Sequence, residues 1–268
     1  MTIRSFYGIE TDPFSARDCK LLEQQQEIYD TLYVHGQQGG LCLVLGVPGT
    51  GKSTIKQAIL EKTDPKRTLV VAIGRTLHTY ANIVKILCQA FGVEHTNSQF
   101  KCEKALIERA WDRNHRSEAI ITMIDDAHLL SMEAFRKLRL VFGEFPKNHN
   151  VILLGQPLLM SQIALAVNED IRSRVTYSVV MRRLNPEGLR DFILEEMDRA
   201  GLGHNVFSEN ALGLIARSAD GVLRQARNLS VACMLHAAMV REKTIGIDIV
   251  NKVLIQPHWR KDYDLEQF

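Results

Sequence analysis

The stretch Gly46-Val47-Pro48-Gly49-Thr50-Gly51-Lys52-Ser53 constrains this chain more than any other. It fits G-x-x-x-x-G-K-[S/T] between a five-residue apolar run, Leu41-Cys42-Leu43-Val44-Leu45, and a helix-length segment, the strand–turn–helix setting in which the pattern has mechanical meaning. Glycines at these positions let the backbone curl, so that successive N–H groups and a helix N-terminus point at an anion. Lys52 then offers a mobile cation to the β- and γ-phosphates of a nucleotide and Ser53 a hydroxyl to Mg2+, with Val47, Pro48, Thr50 and Thr54 completing the loop's contacts. The pattern predicts a nucleoside triphosphate site rather than a glycine-rich structural turn.

The rest of the chain supplies a scaffold for such a loop. After a helix over about 19–35, short apolar runs at 41–45, 68–73, 119–124 and 150–154 alternate with helix patterns at 52–62, 79–91, 101–114 and 131–141. Strands separated by helices imply right-handed crossovers, hence a mainly parallel sheet covered on both faces. Beyond Pro186 only helix patterns follow, over 186–200, 208–218, 221–241 and 246–254. The expected organisation is an N-terminal segment flanking the nucleotide (1–40), a three-layer α/β core (41–184), a small all-helical lid (185–256) and a tail (257–268). A length of 268 residues is just enough for these parts.

A second site follows from Ala119-Ile120-Ile121-Thr122-Met123-Ile124, which ends in Asp125-Asp126-Ala127-His128. A carboxylate at the carboxyl end of a buried strand beside a phosphate loop is placed to hold magnesium through water, which is the role expected of Asp125. Asp126 either orients and deprotonates an attacking water, making the chain a hydrolase, or caps the helix that begins near Ser131. His128 is either a neighbour of the γ-phosphate, or a histidine that lies at the surface or backs another site residue.

Charge and cysteine content narrow the partners. Lys and Arg number 33 against 31 Asp and Glu, a net charge of +2, which excludes a strongly basic monomeric nucleic-acid binder and leaves any anion-binding surface local. No apolar run approaches the roughly 18 residues that span a bilayer, and the N-terminus lacks the apolar stretch of a signal peptide. A soluble, cytoplasmic protein without a membrane partner is expected. Cys19, Cys42, Cys88, Cys102 and Cys233 are odd in number with no C-x-x-C pair, and read as reduced core residues.

Phosphate loop, paired aspartates and terminal helices together resemble the AAA+ ATPases. Within them the chain looks most like the group that holds the ExeA/GspA secretion ATPases and the transposition ATPases MuB, TnsC and TniB. Phe6-Tyr7-Gly8 with Pro13-Phe14 matches the group's N-terminal F-x-G…P-F, Asp125-Asp126-Ala127-His128 its D-E-A-H, Leu154-Gly155-Gln156-Pro157 its sensor-1 strand end, and Gly221-Val222-Leu223-Arg224 the G-x-x-R of sensor 2. The resemblance implies ATP with Mg2+ as cofactors, Gln156 near the γ-phosphate or the lytic water, and Arg224 pairing with phosphate oxygens from a lid helix. It also implies that Arg172 or Arg174 is a finger completing a neighbouring subunit's site. One departure stands out: the group has glutamate where Asp126 lies, and the shorter side chain implies weak intrinsic hydrolysis.

Secretion ATPases of this group carry a transmembrane helix and a cell-wall module after the ATPase, whereas this sequence stops at Phe268, soon after the expected lid. The resemblance therefore points to the transposition side: a homo-oligomeric ring or filament on duplex DNA that recruits a transposase. Candidate DNA contacts are Arg136, Lys137 and Arg139 on one helix, Lys147 in the next turn, and Thr76 in the loop after the second strand, each presented once per subunit and read without base specificity. A nucleotide-gated interaction switch, with 257–268 as a docking tail, is the alternative from another class.

Overall fold

The structure is a computed structural model that describes residues 2–15, 20–74 and 79–259. In chain order its elements are α1 (Ile3–Tyr7), α2 (Glu23–Gln38), β1 (Gly40–Leu45), α3 (Lys52–Lys62), β2 (Thr68–Ile73), α4 (Tyr80–Phe91), α5 (Gln99–His115), β3 (Ala119–Ile124), α6 (Met132–Gly143), β4 (His149–Gly155), α7 (Leu158–Ile163), α8 (Glu169–Arg172), β5 (Val175–Val180), α9 (Pro186–Arg199), α10 (Glu209–Ser218), α11 (Leu223–Val240) and α12 (Ile247–Leu254). The chain divides into two compact units. One comprises Cys19–Val47 and Gly51–Met181; the other comprises Met1–Asp18, Pro48–Thr50 and Arg182–Phe268.

The first unit is built on a five-stranded sheet of order β2-β3-β4-β1-β5, every neighbouring pair parallel. Cys42, Leu43, Val44 and Leu45 of β1 are fully buried, as a central strand covered on both faces requires. Successive side chains go to opposite faces. Leu43 and Leu45 join Ile73, Leu87, Leu106, Ile124 and Leu138 in one cluster, drawn from α4, α5 and α6. Cys42 and Val44 join Ile28, Leu32, Ile55, Ile59 and Met123 in another, drawn from α2 and α3. The three layers expected from the alternating pattern are present. Helix starts are fixed by side-chain caps: Thr79 accepts from Asn82 N–H (3.3 Å), Ser98 from Lys101 N–H (3.4 Å) and Ser131 from Ala134 N–H (3.2 Å).

The sheet has one more strand than the apolar runs predict. β5, Val175-Thr176-Tyr177-Ser178-Val179-Val180, alternates half-buried and exposed residues and pairs only with β1. Thr176, Tyr177 and Ser178 stand between its valines, so it lacks the continuous apolar run by which the other four announce themselves. At the start of β4, His149 is buried and its Nε2 lies 2.9 Å from the Thr122 hydroxyl, while burial pushes its pKa down to about 3. A neutral imidazole completes this part of the core.

The second unit packs α9, α10, α11 and α12 around Leu189, Ile193, Met197, Leu212, Ile215, Leu229, Met234, Ile249 and Val250. Asn185 caps α9 at Gly188 N–H (2.8 Å) and Ser208 caps α10 at Ala211 N–H (3.2 Å). The expected single segment over 1–40 is divided: Ile3 and Phe14 enter this helical cluster, the Phe14 ring 6.3 Å from that of Phe192, whereas α2 packs on the sheet. Gly8 of the F-x-G motif ends α1 in the left-handed conformation at φ 73°, a position that favours glycine. Cys42, Cys88, Cys102 and Cys233 are free thiols in buried positions; Cys19 lies outside the described residues.

Candidate nucleotide site

Strand register brings the candidate residues to one edge of the sheet. Leu45 lies opposite Gly155 and Leu153 opposite Ile124, so the chain leaves β1 at Gly46, β4 at Gln156 and β3 at Asp125 along the same carboxyl edge. Neighbouring strands are about 4.8 Å apart. In open parallel sheets the crevice beyond this edge, where the strand order reverses, is where ligands bind.

The phosphate loop is anchored at its start, where Gly46 N–H donates to Gly155 O (3.0 Å). Gly49 and Gly51 have φ of +88° and +101°, in the left-handed region that favours glycine. No side chain caps α3, which begins at Lys52, and Thr54 N–H turns back to Gly51 O (3.0 Å), so the helix N-terminus opens directly onto the loop, the setting in which anions bind. Lys52 is 8% exposed, and its ammonium donates to the carbonyls of Gly46 (2.7 Å) and Val47 (3.0 Å). It is held across the loop where a phosphate oxygen would exchange for those carbonyls. Inside the helical unit, to which the loop tip Pro48–Thr50 belongs, Arg224 N–H donates to Gly49 O (3.2 Å). A Cβ on Gly49 would lie 2.6 Å from Arg224 Cβ, so glycine is required there for space as well as for φ.

Asp125 N–H donates to Ile73 O (2.9 Å), fixing the residue to the end of β2. Its carboxylate has two partners: Oδ1 accepts from Asp126 N–H (3.0 Å), and Oδ2 lies 2.5 Å from Lys56 Nζ. Sequence reasoning missed Lys56. Its only signal was its spacing of one helical turn after Lys52, on the helix that opens the site. Asp126 is exposed and left-handed at φ 51°; its side chain caps nothing, because Ser131 caps α6. The capping alternative for Asp126 is thereby removed. Gln156 Nε2 donates to His128 Nε2 (3.0 Å), which places the ring proton on Nδ1, a buried atom without a hydrogen-bond partner. The two residues act as one unit.

The oxygen donors available to a metal, Ser53 and Asp125, suit Mg2+. That ion keeps several waters and takes most ligands from phosphates, and the described residues contain no cluster of three or more His, Cys, Asp or Glu that would bind a metal without them.

The remaining candidates sit elsewhere. Arg174 immediately precedes β5, whose Val175 lies opposite Leu41 at the start of β1; Arg172, paired with Glu169, is two residues earlier. Both are at the amino edge of the sheet, about 17 Å from the carboxyl edge that carries the loop. Arg136 donates to Asn168 Oδ1 (2.7 Å) and Val167 O (3.2 Å), and Arg139 pairs with Asp170 (3.0 Å), so both are engaged within the unit. Lys137, paired with Glu133 (2.8 Å), and Lys147 are exposed. Thr76 lies outside the described residues, as does the tail beyond Trp259.

Phosphate loop, strand order and flanking helices together define an AAA-type P-loop ATPase fold. Residues 34–163 match the family model described as an AAA domain. The chain is 23% identical over 235 residues to General secretion pathway protein A of Aeromonas hydrophila, covering 82% of this chain and 42% of that protein. It thus spans less than half of that relative's length. Among solved structures it resembles the ORC2 protein of Aeropyrum pernix in ADPNP-ADP complexes, at TM-score 0.69 and 14% identity over 100% of this chain and 75% of that one. It also resembles the Aeropyrum pernix ORC1 protein in complex with DNA, at TM-score 0.68 and 16% identity over 94% and 68%. No helix among the described residues is long and apolar enough to cross a membrane.

Proposed function

We propose that this chain is a Mg2+-dependent ATPase that assembles with copies of itself on duplex DNA and serves DNA transposition by marking a target and recruiting a transposase. The observation that carries the assembly is the position of Arg172 and Arg174. An arginine at the amino edge of the sheet cannot serve the loop at the carboxyl edge of its own chain, but it can complete the site of a neighbour. Within each subunit Lys52 and the loop N–H groups bind the β- and γ-phosphates, and Arg224 adds a cation to the same oxygens. Ser53 and Asp125 would hold magnesium, which when bound would supply positive charge against the phosphates. Asp126 accepts the proton of the attacking water and Gln156, oriented by His128, positions it. The short Asp126 side chain holds that water less well than glutamate would, so turnover is slow without a partner.

DNA contact rests on a few charges repeated at every subunit. With Arg136 and Arg139 engaged internally, it falls on Lys137 and Lys147. ATP-loaded protein should bind duplex DNA of any sequence with an affinity that falls steeply as salt rises. Lys137→Ala with Lys147→Ala should weaken binding to all sequences alike and flatten the salt slope, as measured by fluorescence anisotropy from about 50 to 200 mM salt. Affinity that does not change with salt, or is untouched by the double variant, rejects this surface. The likeness to General secretion pathway protein A supports a second reading, a secretion-associated ATPase, for which no duplex binding is expected.

A further inference from the structure

The ion pair between Lys56 and Asp125 is not part of any role assigned above. Lys56 lies on α3 one turn beyond Lys52, and its Nζ is 2.5 Å from Asp125 Oδ2, with the two side chains only 21% and 15% exposed. The other carboxylate oxygen, Oδ1, accepts from Asp126 N–H at 3.0 Å. Both oxygens through which Asp125 would hold a metal-bound water are therefore engaged. In surroundings this poor in solvent, a cation at contact distance from a carboxylate is screened far less than at the surface. A divalent cation brought to the same carboxylate competes with the ammonium for its oxygens and repels it at close range.

We infer that Lys56 is a gate on the metal step: it holds Asp125 as a resident cation, and magnesium engages that carboxylate only when the Lys56 ammonium leaves it. This rests on the ATPase reading and adds a residue to the same site. Lys56 is a positioning residue, acting through Asp125 rather than on the nucleotide. Because α3 starts at the phosphate loop, the swing links metal loading to the first helix that feels the phosphates.

The test is a Mg2+ titration of binding of a fluorescent ATP analogue to the full chain, begun in EDTA. Lys56→Gln, which removes the competing charge, should reach its Mg2+ midpoint at a concentration about tenfold lower than the unaltered protein, an effect equal to one weakened ion pair of moderate burial. Lys56→Arg keeps the charge and grips the carboxylate with a two-pronged fork, so its midpoint should move to higher Mg2+. Lys56→Arg also serves if Lys56→Gln does not fold, since it retains the pair. Midpoints that coincide in all folded proteins, or a higher midpoint for Lys56→Gln, overturn the gate. An absence of analogue binding in EDTA and in Mg2+ alike, in the unaltered protein, instead overturns the nucleotide reading beneath it.

Discussion

Lys52→Ala should bind ATP about a hundredfold more weakly, because it removes a charge-assisted contact to the phosphates worth roughly 2–3 kcal/mol. The side chain is almost buried and already held over the loop by two carbonyls, so little rotamer freedom is lost when it meets phosphate. Asp126→Ala should separate binding from chemistry. That side chain is exposed and caps no helix, so its loss leaves the loop and its affinity in place, while removal of the proton acceptor lowers turnover by about a hundredfold or more. Isothermal titration with ATP and a steady-state phosphate assay check both variants. Tight binding by Lys52→Ala would contradict the site; full turnover by Asp126→Ala would contradict its role.

A larger loss of turnover is expected when the finger is removed. One of Arg172→Ala and Arg174→Ala should lose hydrolysis by about a thousandfold, since a positioned arginine stabilises the charge that grows on the transferring phosphoryl group. Arg172 is tied to Glu169 by an ion pair three residues away on one short helix, an exposed contact that gives way at small cost. Because the arginine acts on a neighbour, mixing the inactive finger variant with Asp126→Ala, which still binds ATP, should restore turnover. In a mixed assembly an Asp126→Ala subunit lends its intact arginine to a neighbour whose own loop and Asp126 are intact. Full activity of both single arginine variants, or a mixture as inactive as its components, would contradict a finger supplied between subunits.

The parts of this architecture that were legible in the sequence are those encoded locally. The phosphate loop combines glycine, lysine and serine at fixed spacing after an apolar strand; β1, β3 and β4 are largely buried central strands, and β2, though at the edge, is still a continuous run rich in apolar residues. Cap residues such as Ser98 and Ser131 set helix starts to within a residue or two. What escaped is non-local or only half-buried. β5 shows an alternation too short to stand out, with Thr176, Tyr177 and Ser178 between its valines. Lys56 meets Asp125 across 69 residues of chain, and Arg136 meets Asn168 across 32, so no window of sequence contains either pair. The Arg136 and Arg139 contacts leave those two side chains poorly placed for DNA, because a cation that holds a turn together is not free to hold a phosphate. Phe14 likewise packs with α9, far along the chain, an assignment that composition and periodicity do not carry.

Assembly on DNA driven by ATP is decided by electron microscopy of the purified protein with ATP and Mg2+, with and without duplex DNA. Rings or filaments should form that require ATP and lengthen or multiply with duplex of any sequence; dispersed single particles under all of these conditions would rule the assembly out.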